Sequence, residues 1–324
     1  MAFYQNPKFK GTDYDRRTSP SFSDLPIEIH SQILKELDPI HRIVVRHVTK
    51  PLRSIVDSLK YMVAEIEVHE VSEGLKIIFD KTQEVLFSPF KTGCTVSSKT
   101  QKTVIEGGNY LELALGLLES ILSNPRLRLY TLVFSHHHDA KVFNYCINTL
   151  NKKIPKIETK ELAILAFKPV ILEPILSLVS HEKLKLLKLE AADEPTIEEV
   201  MGTELFKMVP GISISKSVAL DSELINRFLK FSFFSVRFHR LSINEILDLI
   251  NKLSNLPTFD VSWIRLEEML DLDEIAATFA EEVQEKQFII HRFQIPNSEY
   301  RLEIKFKRYL IMIAKSVNSC PSYF

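Results

Sequence analysis

The chain has 324 residues, 45% hydrophobic and 26% charged, with a formal net charge of −1. Such a balance supports a folded domain with its own core, and nothing global in it points to nucleic acid or an anionic membrane. Three widely spaced cysteines, Cys94, Cys146 and Cys320, give neither a disulfide framework nor a zinc spacing and fit a reducing compartment, cytoplasmic or nuclear.

Residues 1–21 are polar, lack the apolar run of a signal peptide and are expected to form a mobile tail. Residues 22–60 follow, FSDLPIEIHSQILKELDPIHRIVVRHVTKPLRSIVDSLK, and predict three short amphipathic helices marked off by prolines. Asp24 precedes Pro26, a cap before a proline-opened helix, and Ile29, Ile33, Leu34 and Leu37 fall on one face. Asp38-Pro39 starts a second helix with Ile40, Ile43, Val44, His47 and Val48. Lys50-Pro51 starts a third with Leu52, Ile55, Val56 and Leu59. A module of about 40 residues without cysteine or metal ligands buries too little surface by itself, so a partner surface is expected.

This pattern resembles the F-box. Leu25-Pro26, Ile29, Ile33-Leu34, Leu37-Asp38-Pro39, Arg42, Val48 and Leu52-Arg53 stand at the family's hydrophobic, proline and basic positions. Thr49 departs from a frequent cysteine and Leu52 from a frequent tryptophan, and the Asp-Pro-x-x-Arg form is most similar to the nematode F-box A type. The resemblance implies docking onto a Skp-type adaptor, and through it a cullin, with Leu25, Pro26, Ile29, Ile33, Leu34, Leu37, Val44, Val48 and Leu52 buried in the contact.

Residues 61–109 are expected to hold a β-hairpin, 63–71 with 74–80, and then a loose connector over 88–110 rich in glycine, serine, threonine and lysine. That connector is the expected domain boundary. From 110 to 324 helical and extended patterns alternate, with strands expected to begin near 126, 156, 183, 215, 233 and 259. A unit of 20–30 residues that cannot bury its own helix and strand predicts a stacked array, a divergent leucine-rich solenoid. The fold class is therefore α/β: a small three-helix module, a hairpin and a helix–strand repeat domain. A doubly wound sheet is the alternative, without a glycine-rich turn to support it.

Residues 105–320 also resemble the FTH (fog-two homology) domain, through NPRLRLYTLVF, KLKLLKLEA, the run at 196–220, FLKFSFFSVRFHRL and INEILDLINKL. A Gln-Trp pair common in the family is replaced by Leu205-Phe206-Lys207. The order F-box, hairpin, FTH is that of the nematode F-box A proteins, and it implies partner recognition by the second domain.

Toward the C-terminus, Glu267 to Glu285 carries eight acidic residues and no lysine or arginine, on an expected helix. Lys286 to Lys315 then carries seven basic and two acidic residues, on an expected hairpin followed by a last helix. Two readings stay open: solvated faces, or a ligand or RNA surface of Arg292, Phe293, Tyr300, Arg301, Lys305 and Phe306. Trp263, the single tryptophan, is expected in the core.

Chemistry is scarce. His136, His137, His138 and Asp139 cluster in a turn, Cys146 sits in an apolar helix, and Ser180-x-x-Lys183 matches a serine–lysine pair by letters only. Eight glycines leave no phosphate loop and no nucleophile elbow. The expectation is no cofactor, no metal site and no catalytic residues, and no membrane segment. Function is expected to be that of a substrate receptor in a Skp–cullin–F-box ubiquitin ligase, which acts by proximity and is not an enzyme itself. An interaction scaffold without ubiquitin transfer is the alternative.

Overall fold

The computed structural model describes residues 22, 25–46, 48–59, 61–136, 140–167, 172–191, 194–214, 218–279, 283–285 and 288–317. The chain divides into two compact units, 1–59 and 60–324.

The first unit holds α1 (Ile27–Glu36), α2 (Pro39–Arg46) and α3 (Lys50–Ser58), the three helices expected from the prolines. Asp38 opens α2 by accepting from the His41 backbone N–H at 2.9 Å. Thr49 opens α3 by accepting from the Leu52 N–H at 3.3 Å. Its hydroxyl is thus the cap, which gives the departure at this position a structural reason. At α1 the preceding residue is Pro26, which has no side chain able to cap.

In the second unit, β1 (Tyr61–Val71), β2 (Gly74–Phe79), β3 (Gln83–Phe90), β4 (Gly93–Ser98) and β5 (Lys102–Glu106) form an antiparallel meander. Gly74 lies at φ +147° where a Cβ would stand 2.0 Å from the Phe87 carbonyl oxygen, so the β1–β2 turn requires glycine. Next come α4 (Tyr110–Leu122), β6 (Leu127–His136), α5 (Ala140–Lys153), β7 (Thr159–Phe167), α6 (Leu172–Leu178) and β8 (Leu186–Ala191). The chain continues with α7 (Glu194–Gly202), α8 (Glu204–Met208), β9 (Gly211–Ile214), a 3-10 turn (Ser222–Phe228), β10 (Phe233–Phe238), α9 (Ile243–Ser254), β11 (Val261–Leu266) and α10 (Leu272–Thr278). Last are β12 (Val283–Glu285), β13 (Phe288–Gln294), β14 (Tyr300–Lys307) and β15 (Leu310–Val317).

The fifteen strands among the described residues join one sheet in the order β12-β13-β14-β15-β11-β10-β9-β8-β7-β6-β1-β2-β3-β4-β5. Its centre, β1 and β6 to β11, is parallel, and its two flanks are antiparallel meanders. From β6 to β11 each strand lies beside its predecessor without a reversal of direction. Right-handed crossovers then place the connecting elements on one face, which excludes a doubly wound sheet with its switch point. Phe143 of α5 meets Phe134 of β6 edge-on, and Phe228 of the 3-10 turn packs on Phe206 of α8 and Phe234 of β10, all on that face.

The parallel strands share one internal signature, apolar-x-x-apolar-x-apolar. It appears as Val63-Ile66-Val68, Leu129-Leu132-Phe134, Leu184-Leu187-Leu189, Val209-Ile212-Ile214 and Phe231-Phe234-Val236. Thr159-Leu162-Ile164 and Phe259-Ser262-Ile264 carry it with one polar substitution each. Strand register aligns the middle member of all seven, and every member is buried. The side chain between the second and third members points to the opposite face.

Several expectations are corrected. Residues 88–110, expected to be a loose connector, instead hold the end of β3 with β4 and β5, and the units divide at 59/60. The strand expected over 215–220 is instead Gly211–Ile214, with residues 215–217 outside the described residues and Leu220 in an isolated bridge to Phe238. The last helix is β15, whose Ile311 and Ile313 alternate into the core. Trp263 is not core: its side chain leaves the sheet on the face opposite the helices and is 40% exposed.

Candidate functional site

The three-helix unit offers the surface best suited to function. Its core is Leu34, Ile55, Val56 and Leu59, with Leu37, Val45 and Leu52 packed around it. Polar contacts lock the helices at their ends. Arg42 donates from Nε to the Leu37 carbonyl at 2.7 Å and from Nη2 to that of Lys35 at 2.6 Å, closing the C-terminus of α1. Arg46 pairs with Asp57 at 2.7 Å and ties α2 to α3. Phe22 stacks on His30 with ring centroids 4.6 Å apart, and the His30 ring meets the Phe22 carbonyl at 2.6 Å.

The nine residues singled out by the sequence therefore part company. Leu34 is 1% exposed and holds the unit together, so it cannot itself be a contact. Leu37 and Leu52 are half-buried against the same core, and Leu25 is half-buried. Pro26, Ile29, Ile33, Val44 and Val48 are exposed, Val44 at 59% and Val48 at 64%. Ile27, which the sequence reading passed over, is 60% exposed. Its signal was there: an apolar residue at the first helical position, seven residues before Leu34 and so on the same side of the helix. Six exposed apolar side chains are a large share for so small a unit, and exposed apolar surface of this kind marks an interaction site.

Among its described residues the second unit offers no reactive centre to rival this. Cys146 lies in α5 against the core, and burial, with the charge of Glu70 adding to it, pushes its thiol up to about 12, far from a nucleophile at neutral pH. His136 is not in a turn but at the end of β6, buried and 3.2 Å from the Glu70 carboxylate beside it in β1. His137, His138 and Asp139 lie outside the described residues. Among the described residues no group of three or more histidine, cysteine, aspartate or glutamate side chains could hold a metal ion. No helix among them is long and apolar enough to cross a membrane.

Comparison with known proteins agrees with this division. Residues 22–63 match the F-box domain family and residues 140–282 the FTH domain family. The chain is an F-box–FTH protein. It is similar to F-box A protein 224 of Caenorhabditis elegans, at 25% identity over 288 residues that cover 82% of this chain and 72% of the relative. In this F-box–FTH protein the F-box match coincides with α1–α3, and the FTH match runs from the start of α5 past α10.

Proposed function

We propose that this chain is the substrate-receptor subunit of a Skp–cullin–F-box ubiquitin ligase, without chemistry of its own. The observation that carries the reading is an F-box whose helices keep their internal core and still expose Pro26, Ile27, Ile29, Ile33, Val44 and Val48. Those side chains, with the edges of Leu25, Leu37 and Leu52, dock onto a Skp-type adaptor, which brings the cullin. Leu34 supports that face from beneath. The 60–324 unit recruits the target, and its β6–β11 array works as a divergent leucine-rich solenoid, in keeping with its in-register apolar column. Catalysis is then proximity: the target is held at high effective concentration near the charged enzyme. The compartment is cytoplasmic, nuclear or both.

Co-expression of the full chain with a Skp-type adaptor tests the docking half. A one-to-one complex on sizing is expected, and the double variant Leu25→Ala, Pro26→Ala should abolish it while leaving the 60–324 unit folded. A well-folded chain that ignores the adaptor overturns the reading. An adaptor complex that never assembles with a cullin would leave an interaction scaffold instead.

A further inference from the structure

On the sheet face opposite the helices, the strands from β9 to β15 bring together one exposed aromatic side chain, a small-residue floor and a cluster of cations. Trp263 stands between Ser235 of β10 and Met312 of β15 in the strand register, and Ser213 of β9 follows Ser235 in the same row. Ser235 is buried although nothing larger than a hydroxymethyl group occupies its place, so the indole edge rises beside a shallow floor. One pleat step along, Arg237 and Arg265 are paired in register on the same face. Arg292 of β13 and Lys305 of β14 share that face and flank the buried Glu303, each 3.5 Å from its carboxylate. Arg301 and Lys307 of β14 lie on the same face. Among the described side chains, the acids on this stretch are Glu303, held between two cations, and Glu267, which takes Arg237 at 3.3 Å. Among the described residues Arg265 has no ion pair.

The six residues that the sequence marked as a basic-aromatic surface are split by this geometry. Arg292, Arg301 and Lys305 face the cluster, while Phe293, Tyr300 and Phe306 alternate to the other side. Phe233 of β10 and Phe288 of β13 do share this face by register, but both are half-buried and Lys307 covers the Phe288 ring at 4.3 Å, so among the described residues no row of exposed aromatics is presented for single-stranded nucleic acid to stack on. What stands exposed is one aromatic anchor among positive charges. The geometry points to this face, centred on Trp263 with Arg237, Arg265 and Arg292, as the docking surface for an acidic segment of a protein partner carrying an apolar side chain. The argument is charge complementarity around a half-exposed aromatic hot spot. It deepens the receptor reading, on which it rests for taking that partner as the target.

Trp263 is the only tryptophan, so its fluorescence reports occupancy of this face in the full chain. A random dodecamer peptide library is selected on the full chain, and the enriched peptides are synthesised and titrated by Trp263 emission and by anisotropy of a peptide label. Enriched peptides are expected to carry aspartate and glutamate around a leucine, phenylalanine or methionine, to shift the indole emission and to weaken with salt. Arg265→Glu should weaken them roughly tenfold, Trp263→Ala comparably by anisotropy, and Arg128→Glu on β6 not at all. Neutral or basic winners, indifference to Arg265→Glu, or tighter quenching by oligouridylate than by any peptide overturns the proposal. So does a buried emission in the free chain that deleting residues 1–21 or 318–324 exposes, since the chain's own tail would then be the occupant. Adaptor capture from the same preparations separates the two readings. Lost adaptor binding with peptide binding intact fails the receptor reading alone, and an intact adaptor complex whose peptides ignore Arg265 fails this one alone.

Discussion

Ser262 is the most exposed weakness at the scale of single residues, although no water reaches it. It occupies the middle position of the apolar column on β11, between Phe234 of β10 and Ile313 of β15, and is fully buried. Its Oγ finds no hydrogen-bond partner. An unsatisfied buried hydroxyl costs about 1–3 kcal/mol, whereas a methyl group of the same size costs nothing to desolvate. Ser262→Ala is therefore expected to stabilise the 60–324 unit by about 1 kcal/mol, seen as a raised midpoint in urea at unchanged slope. Cys146 supports a second expectation. With its thiol pushed up to about 12 by burial and by Glu70, it should resist alkylation in the native protein at pH 8 and label only on unfolding. Peptide-resolved mass spectrometry would expose an error if native Cys146 reacted at the rate of a free thiol.

At the scale of elements, the F-box shows how local chemistry and docking divide the apolar residues between them. Leu34 and Val44 belong to helices of the same module and lie on opposite sides of that division. Leu34→Ala empties part of a very small core and should cost about 2–5 kcal/mol, enough to unfold α1–α3 while the 60–324 unit persists. Val44→Asp touches no core and should leave the helices intact while removing adaptor binding. Circular dichroism with adaptor pull-down distinguishes them, and the assignment fails if Val44→Asp binds normally. The three helices were legible because Asp38-Pro39 and Lys50-Pro51 punctuate them. Which apolar residues turn inward was less legible, because in helices of 8–10 residues the stripe and its shoulder differ by one position, as the exposed Ile33 and the buried Leu34 do. The strands β4 and β5 were missed for a related reason. Only Cys94 and Thr95 of β4 are buried, and β5 is a lysine-bearing edge that buries nothing, so its composition is that of a loop.

The whole 60–324 unit is a single sheet, and its repeat was visible only in part. The column from Leu132 to Ser262 recurs at intervals of 30, 25, 25, 22 and 28 residues, so no fixed period marks it. Moreover, the first member of the signature often precedes its strand, as Leu184, Val209, Phe231 and Phe259 do, and Pro210-Gly211 disguises the start of β9 as a turn. On the proposed solenoid reading each repeat draws its stability from its two neighbours, and damage should spread along the array rather than fail all at once. Phe234, buried at the centre of the column and packed on Phe228 and Phe259, provides the test. Phe234→Ala should cost about 3–5 kcal/mol in its own neighbourhood. Hydrogen exchange is then expected to lose protection most in β9, β10 and β11, less in β7, and least in the β2–β4 meander at the far flank. The F-box amides should not change, because they belong to a separate unit. An equal loss from β2 to β15 would instead mean that the sheet opens as one cooperative body, and the nearest-neighbour account of its stability would have to be abandoned.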